Sequence, residues 1–320
     1  MKQLFNYCLV PEYETEILKS GKTLDEFIKS LGLGGVELMV YKNIPYFQSF
    51  VGYAVGVHLN YWPMWMPFYK RNKQILEKYF STKEELMNYY GSTYYEGWLK
   101  TIRQNIASAL QEKPEYLVWH VADCEFDECY TFNFRHSDED VLLSAARVFN
   151  RVADQIPEDV AVLFENLWWP GLRLTDKEKV KLFFNAIKRK NVGIILDTGH
   201  LMNTNPELKT EEEGIEYVCR TIENLGEYAS LIHGIHLNLS LSGEYVKTFK
   251  REYPQNANLE ERYKHIIKID QHRIYTNPKV QKIIDLVKPD YLVHELAYND
   301  FIDFEAKIRA QKALCRNPAK

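Results

Sequence analysis

The chain has 320 residues, 46% of them hydrophobic, and a formal charge of −4 at pH 7. That apolar content supports a sizeable core, and the acidic balance supplies no global attraction to nucleic acid or an anionic membrane. Five cysteines, odd in number and without a C-x-x-C pair, read as reduced thiols of a cytoplasmic protein. The opening "MKQLFNYCLVPEYE" lacks the apolar core of a signal peptide, and no run reaches the roughly eighteen apolar residues of a membrane span.

In chain order the β-rich runs are "LFNYCLV" (4–10), "GVELMV" (35–40), "YAVGVHL" (53–59), "EYLVWHV" (115–121), "VAVLFEN" (160–166), "VGIILDT" (192–198), "IHGIHLNL" (232–239) and "DYLVHEL" (290–296). Amphipathic stretches separate them, among them 138–156, 175–190 and 210–229, with Asp138, Thr175 and Thr210 where N-caps belong. Alternating strands and helices imply right-handed βαβ units and a parallel sheet. Eight units predict closure into a (β/α)₈ TIM barrel, one domain over 1–320. Two segments exceed a plain barrel: an aromatic-rich excursion at 60–98, after the third strand, and a long loop at 240–276, after the seventh. Long loops in compact domains tend to be functional.

Polar residues gather at the C-terminal ends of the strands. The third run ends in His58, the fourth in His120, the fifth in Glu165 and the sixth in Asp197, with His200 just beyond. The seventh ends in His236 and the eighth in Glu295. Taken singly, such a histidine is more often a satisfied core residue, and such an aspartate a turn or cap. Convergence of imidazoles and carboxylates on the rim where barrel enzymes place their chemistry is a different matter. His233 and His294 alternate to the other face and read as structural. Glu37, inside "GVELMV", is ambiguous between an acid supporting the site and a buried ion-pair partner. "LGLGG" (31–35) precedes a strand instead of following one, and reads as a turn.

These residues resemble the superfamily of divalent-metal (β/α)₈ enzymes that contains endonuclease IV and the xylose-isomerase-like sugar isomerases and epimerases. Its core is a Glu, Asp, His, Glu quartet from strands five to eight, matched here by Glu165, Asp197, His236 and Glu295, with His200 three residues after the aspartate. Endonuclease IV adds two earlier histidines, matched by His58 and His120, and an Asp-x-His matched by Asp270 and His272 in "IDQHR". The resemblance implies three metal groups: His58, His120 and Glu165; Glu165 as a bridge to Asp197, His236 and Glu295; and His200, Asp270 and His272. It implies zinc, with Mn²⁺ or Fe²⁺ as alternatives for such carboxylate–imidazole sites. It also places Tyr61 and Trp62 against the substrate. The excursion at 60–98 and the stretch before Asp270 depart from that enzyme, as does "HVADC", which lacks a Pro-Gly after the second histidine.

Charge separates two reactions. Three divalent ions against four ligand carboxylates leave a site near +2, suited to an anionic phosphoester and metal-assisted hydrolysis. One ion against the three carboxylates of the quartet leaves about −1, suited to a neutral sugar or sugar phosphate isomerised or epimerised by Glu165 and Glu295 as acid and base. Asp270 and His272 favour the first. Trp62, Trp65, Trp168 and Trp169 favour the second, because indoles stack on sugar rings, although barrel-mouth packing accounts for them equally well. A phosphoesterase acting on a small molecule rather than a long nucleic-acid duplex is the leading expectation.

Overall fold

The computed structural model describes residues 1–8, 11–39, 50–254 and 257–317. Eight parallel strands close in chain order: β1 (Lys2–Cys8), β2 (Gly35–Met39), β3 (Ala54–His58), β4 (Tyr116–His120), β5 (Ala161–Glu165), β6 (Val192–Asp197), β7 (Ile232–Leu237) and β8 (Tyr291–His294). β8 returns to pair with β1, aligning Lys2 with Tyr291 and Phe5 with His294, so these strands form a closed ring. This is a (β/α)₈ barrel, and each strand lies within two residues of the run that predicts it. Leu9, Val10 and Val40, read as strand ends, lie outside the described residues, as do 255–256 within the second long loop.

Strand alternation decides what enters the barrel. Val118 on β4, Leu163 on β5, Ile195 on β6 and Val293 on β8 belong to one inner apolar cluster. Two residues further along each chain segment stand His120, Glu165, Asp197 and Glu295, on the same inward face and one layer nearer the C-terminal mouth. The ladder register completes the layer by pairing His120 with Glu165 and Asp197 with His236. Outward-facing neighbours bind the helices instead. Phe164, beside Glu165, packs edge-on against Phe149 at 5.0 Å and Phe183 at 4.8 Å.

Helix starts shift by one residue from two of the expected caps. Ser137 caps the helix Asp138–Val152 and Asp176 caps Lys177–Ala186, whereas Thr210 caps Glu211–Leu225 as read. Asp138 is drawn into the first turn because its carboxylate is engaged elsewhere, by the Gly171 amide, Arg173 and Lys179. The described cysteines form no disulfide. Among the described residues no helix is long and apolar enough to cross a membrane.

The excursion after β3 folds into the helices Met66–Tyr69, Lys73–Tyr79 and Lys83–Tyr90. Its rings pack on one another, as Phe68 does on Tyr90 with centroids 4.0 Å apart. Asp123, just past β4, pins its start by accepting from the amides of Trp65 and Met66. The loop after β7 carries the helices Gly243–Thr248 and Leu259–Ile269 and is tied back by a bridge between Leu239 and Arg273.

One strand glycine is fixed by a close approach. A Cβ at Gly56 would lie 2.2 Å from the buried Tyr116 ring, whose hydroxyl donates to Glu37 Oε2 at 2.7 Å. Gly56→Ala is therefore expected to destabilise the fold by about 1–3 kcal/mol, the usual effect of overpacking. Thermal denaturation checks this, and an unchanged midpoint would show that the ring moves aside freely.

Candidate metal centre

Glu165 ends β5 with 1% of its surface exposed. Its two oxygens face different partners. Oε2 lies 3.0 Å from His58 Nε2 and 2.7 Å from His120 Nε2. Oε1 lies 3.2 Å from His200 Nδ1 and 3.3 Å from His236 Nδ1. One carboxylate thus spans two groups of potential ligands.

Asp197 ends β6 and caps the short helix Thr198–Met202, accepting from the His200 amide at 2.6 Å. That cap places His200 over the barrel. Asn238 donates to the other Asp197 oxygen, and the Asn166 side chain brackets the Asp197 backbone from the β5 side. The His200 ring is steered by Nδ1, 2.9 Å from the Asn166 carbonyl, so that Nε2 turns to Asp270 Oδ2 at 3.3 Å. Asp270 is the C-cap of Leu259–Ile269. His272 Nε2 approaches the same Asp270 oxygen at 2.8 Å. Its backbone is left-handed, with φ 45°, a conformation that the bonds from His272 to Glu295 and Ala297 hold in place.

Three groups of ligand-type atoms result, each with all its atoms within 4.8 Å of one another: His58, His120 and Glu165; Glu165, Asp197, His236 and Glu295; and His200, Asp270 and His272. Ligands about 2.0–2.1 Å from one ion stand roughly 3–4 Å apart, close to the spacing of these groups. Several of these atoms also lack hydrogen-bond partners although buried: His120 Nε2, His236 Nδ1, Glu295 Oε2 and Asp270 Oδ1. His236 Nδ1 and Glu295 Oε2 are 2.9 Å apart, yet their angle makes no hydrogen bond. Lone pairs that converge without bonding one another fit divalent cations between them.

Electrostatics follow from burial of so many charges together. Burial pushes the Glu165 carboxyl up, but the His120 and His236 imidazoles outweigh it and hold the group well below the usual range. Asp197 is pushed up to about 6, by burial first, with His200 opposing and Glu295 and Glu165 adding to the rise. Burial works against charge on His200 and His236, yet the surrounding carboxylates hold both well above the ordinary value. His272 is raised to about 10 against burial, chiefly by Asp270. Burial lowers His120.

Glu37 is the residue that sequence reading left undecided. It is fully buried, and its Oε1 lies 3.0 Å from His236 Nε2, on the ring edge opposite the ligand atoms. Asn6 and Tyr116 donate to the two Glu37 oxygens. A carboxylate behind a ligand histidine fixes its tautomer and raises its basicity. The available signal was a charged residue inside an apolar strand run. Asn166 and Asn238 carried no comparable signal, because their roles depend on contacts between strands.

The aromatic expectations divide. Tyr61 borders a cavity of about 840 Å³ at the mouth, together with His58, His120, Glu165, His200 and Glu295. Its hydroxyl donates to the Ala122 carbonyl, and its ring meets His120 edge-on at 4.5 Å. Trp62 does not border that cavity: it donates to the Tyr89 carbonyl, packs edge-on against Trp98 and borders a smaller cavity beside His120. Trp168 and Trp169 are buried, at 4% and 6% exposure, and do not line the cavity. Trp168 backs His200, with centroids 5.2 Å apart. The two histidines read as structural sit apart from the cavity: His233 pairs with Asp290, and buried His294 with Gln3 and Gln311.

No family model and no curated protein sequence matches the chain. Solved structures do. Endonuclease IV from Thermus thermophilus aligns over 98% of both chains at 11% identity, with a TM-score of 0.54. Mannonate dehydratase from Streptococcus suis serotype 2 aligns over 98% of this chain and 93% of its own at 11% identity, with a TM-score of 0.53. These likenesses show the (β/α)₈ barrel fold.

Two outcomes are expected of the site. Glu37→Gln removes the charge behind His236 and should weaken metal binding by about 10–100-fold, read by competition titration with Zn²⁺. Unchanged affinity would reduce Glu37 to a packing role. Because His200, His236 and His272 are raised, they carry protons near neutrality in the metal-free protein. A metal must displace those protons, so its uptake should release acid and its affinity should keep climbing as pH rises from neutrality toward about 10, where His272 loses its proton. Indicator dye in weak buffer measures the release.

Proposed function

We propose that this protein is a divalent-metal enzyme that hydrolyses a phosphoester at a multinuclear site. The observation that carries the reading is the sharing of Glu165 between two ligand groups, with a third formed by His200, Asp270 and His272 beside them. Five carboxylates meet there: Glu37, Glu165, Asp197, Asp270 and Glu295. A single divalent ion leaves that cluster strongly negative, whereas three bring it to about +1, a charge that accepts a phosphoester anion.

The nitrogen and oxygen donors suit zinc, with Mn²⁺ or Fe²⁺ as alternatives. Bound ions supply positive charge to phosphate oxygens and an activated water as nucleophile. The chain's own residues set the geometry. Glu165 holds two groups at a fixed separation, and Glu37 and Asn166 orient His236 and His200. Asp270 and His272 bring the third group from the loop after β7. The cavity is bordered by Tyr13, Tyr61, Tyr263 and Tyr298 with Asn60 and Gln271, groups that suit the neutral, hydroxyl-bearing part of a small substrate. That lining also supports a second reading, isomerisation or epimerisation of a sugar at one metal with Glu165 and Glu295 as the acid–base pair.

Glu165→Gln tests the two together. Under the first reading, bound metal falls and hydrolysis of phosphomonoester or phosphodiester probes drops by about 100-fold or more. Under the second, a metal stays on Asp197, His236 and Glu295 while deuterium exchange from solvent into a sugar C–H bond stops. An unmutated, Zn²⁺- or Mn²⁺-loaded protein that cleaves no phosphoester but exchanges a sugar proton would overturn the first reading.

A further inference from the structure

Among the five ligand-type imidazoles, His120 differs in what stands behind it. His58 Nδ1 lies 3.1 Å from the Leu59 carbonyl, His200 Nδ1 2.9 Å from the Asn166 carbonyl, and His272 Nδ1 3.1 Å from the Glu295 carbonyl. His236 has Glu37. His120 has no such partner among the described residues: Nε2 faces Glu165, and Nδ1 is buried with nothing to bond. Ligand histidines almost always donate from the far nitrogen, so this gap calls for an occupant.

Beside His120 lies a second, smaller cavity of about 40 Å³, bordered also by Trp98 and Asn105. Both residues belong to the helix Tyr95–Leu110, seven positions apart and so on one face, within its buried stripe. Asn105 is oriented by the Asn60 amide, which donates to its Oδ1 at 3.0 Å and leaves Nδ2 as a free donor. Trp98 Nε1 and Asn105 Nδ2 are both buried without a hydrogen-bond partner, in residues 2% and 4% exposed. Three residues that each carry a buried, unpartnered nitrogen therefore border one cavity, whose remaining lining is largely apolar and includes Leu59, Ile102 and Val148.

We propose that Trp98 and Asn105 hold buried water against His120 Nδ1 and are positioning residues for that imidazole. A water needs roughly 10–15 Å³ of such space and two to four polar partners, so the cavity has room for about three. Water supplies what all three donors lack. It accepts from Nδ1–H, fixes the tautomer that leaves Nε2 free, and so acts as the carbonyls do behind His58, His200 and His272. The positioning role rests on the metal reading of His120; the water itself does not.

High-resolution crystallography of the unmutated protein, with and without Zn²⁺, reads the water directly. Ordered density within hydrogen-bond distance of His120 Nδ1 and of Trp98 Nε1 or Asn105 Nδ2 is expected, and a dry cavity overturns the proposal. Trp98→Phe removes one N–H and keeps a smaller aromatic ring, while Asn105→Leu removes the other and puts an apolar side chain in its place. Each should weaken Zn²⁺ at the group His58, His120 and Glu165 by about tenfold, with the other groups unchanged. Each should also move the His120 ¹⁵N resonance and leave those of His58, His200 and His272 in place. Equal weakening at every group, or none, overturns the positioning role. A protein that shows the water but takes up no metal refutes the proposed function and leaves the water standing.

Discussion

A carboxylate with 1% exposure, flanked on both oxygens by imidazoles, is the constraint around which the mouth of this barrel is organised. Burying one charge without partners is prohibitive, so Glu165 demands polar or positive groups on both sides. Those groups come from β3, β4, β7 and the helix after β6. They in turn require acceptors of their own, which draws in Glu37, Asp270 and two backbone carbonyls. The site is a network in which most polar atoms are partnered by the next. Several of the atoms left over, among them His236 Nδ1 and Glu295 Oε2, converge where cations fit.

That network is possible because the barrel repeats a simple rule. Inward positions alternate along each strand, and the parallel register sets His120 beside Glu165 and Asp197 beside His236. Apolar residues fill the layer below, with Tyr116 reaching under Glu37 through the space that Gly56 leaves. Stability and chemistry therefore share residues at the boundary between two layers. Tyr116 is a core ring at one end and a hydrogen-bond donor to the site at the other.

Much of this was legible in the chain. Strand runs ending in His58, His120, Glu165, Asp197, His236 and Glu295 reveal both the fold and the rim, because period-two alternation needs no tertiary information. Asp270 and His272 come from a loop, where periodicity gives no address, and only the resemblance singled them out. Glu37 stayed ambiguous because a buried acid in a strand looks the same whether it supports a ligand or an unrelated cation. The tryptophans were open to two readings, sugar stacking and packing. Trp62 follows Tyr61 directly, yet the chain turns there, so adjacency carries one ring to the cavity and its neighbour into a packed helix pair. Cap positions slipped by one residue for a local reason: Ser137 and Asp138 can both cap, and Asp138 has better partners elsewhere.

The reach of Asp270 back to His200 spans 70 residues of chain. An ion held between them would be a cross-link, and the entropy of closing such a loop corresponds to about 4 kcal/mol in the relation used for covalent bridges. Most of that constraint falls on the segment after β7, which belongs to no strand of the barrel. An ion there would add to the bonds from Asp270 to His200 and His272 that already tie the end of that segment to the barrel.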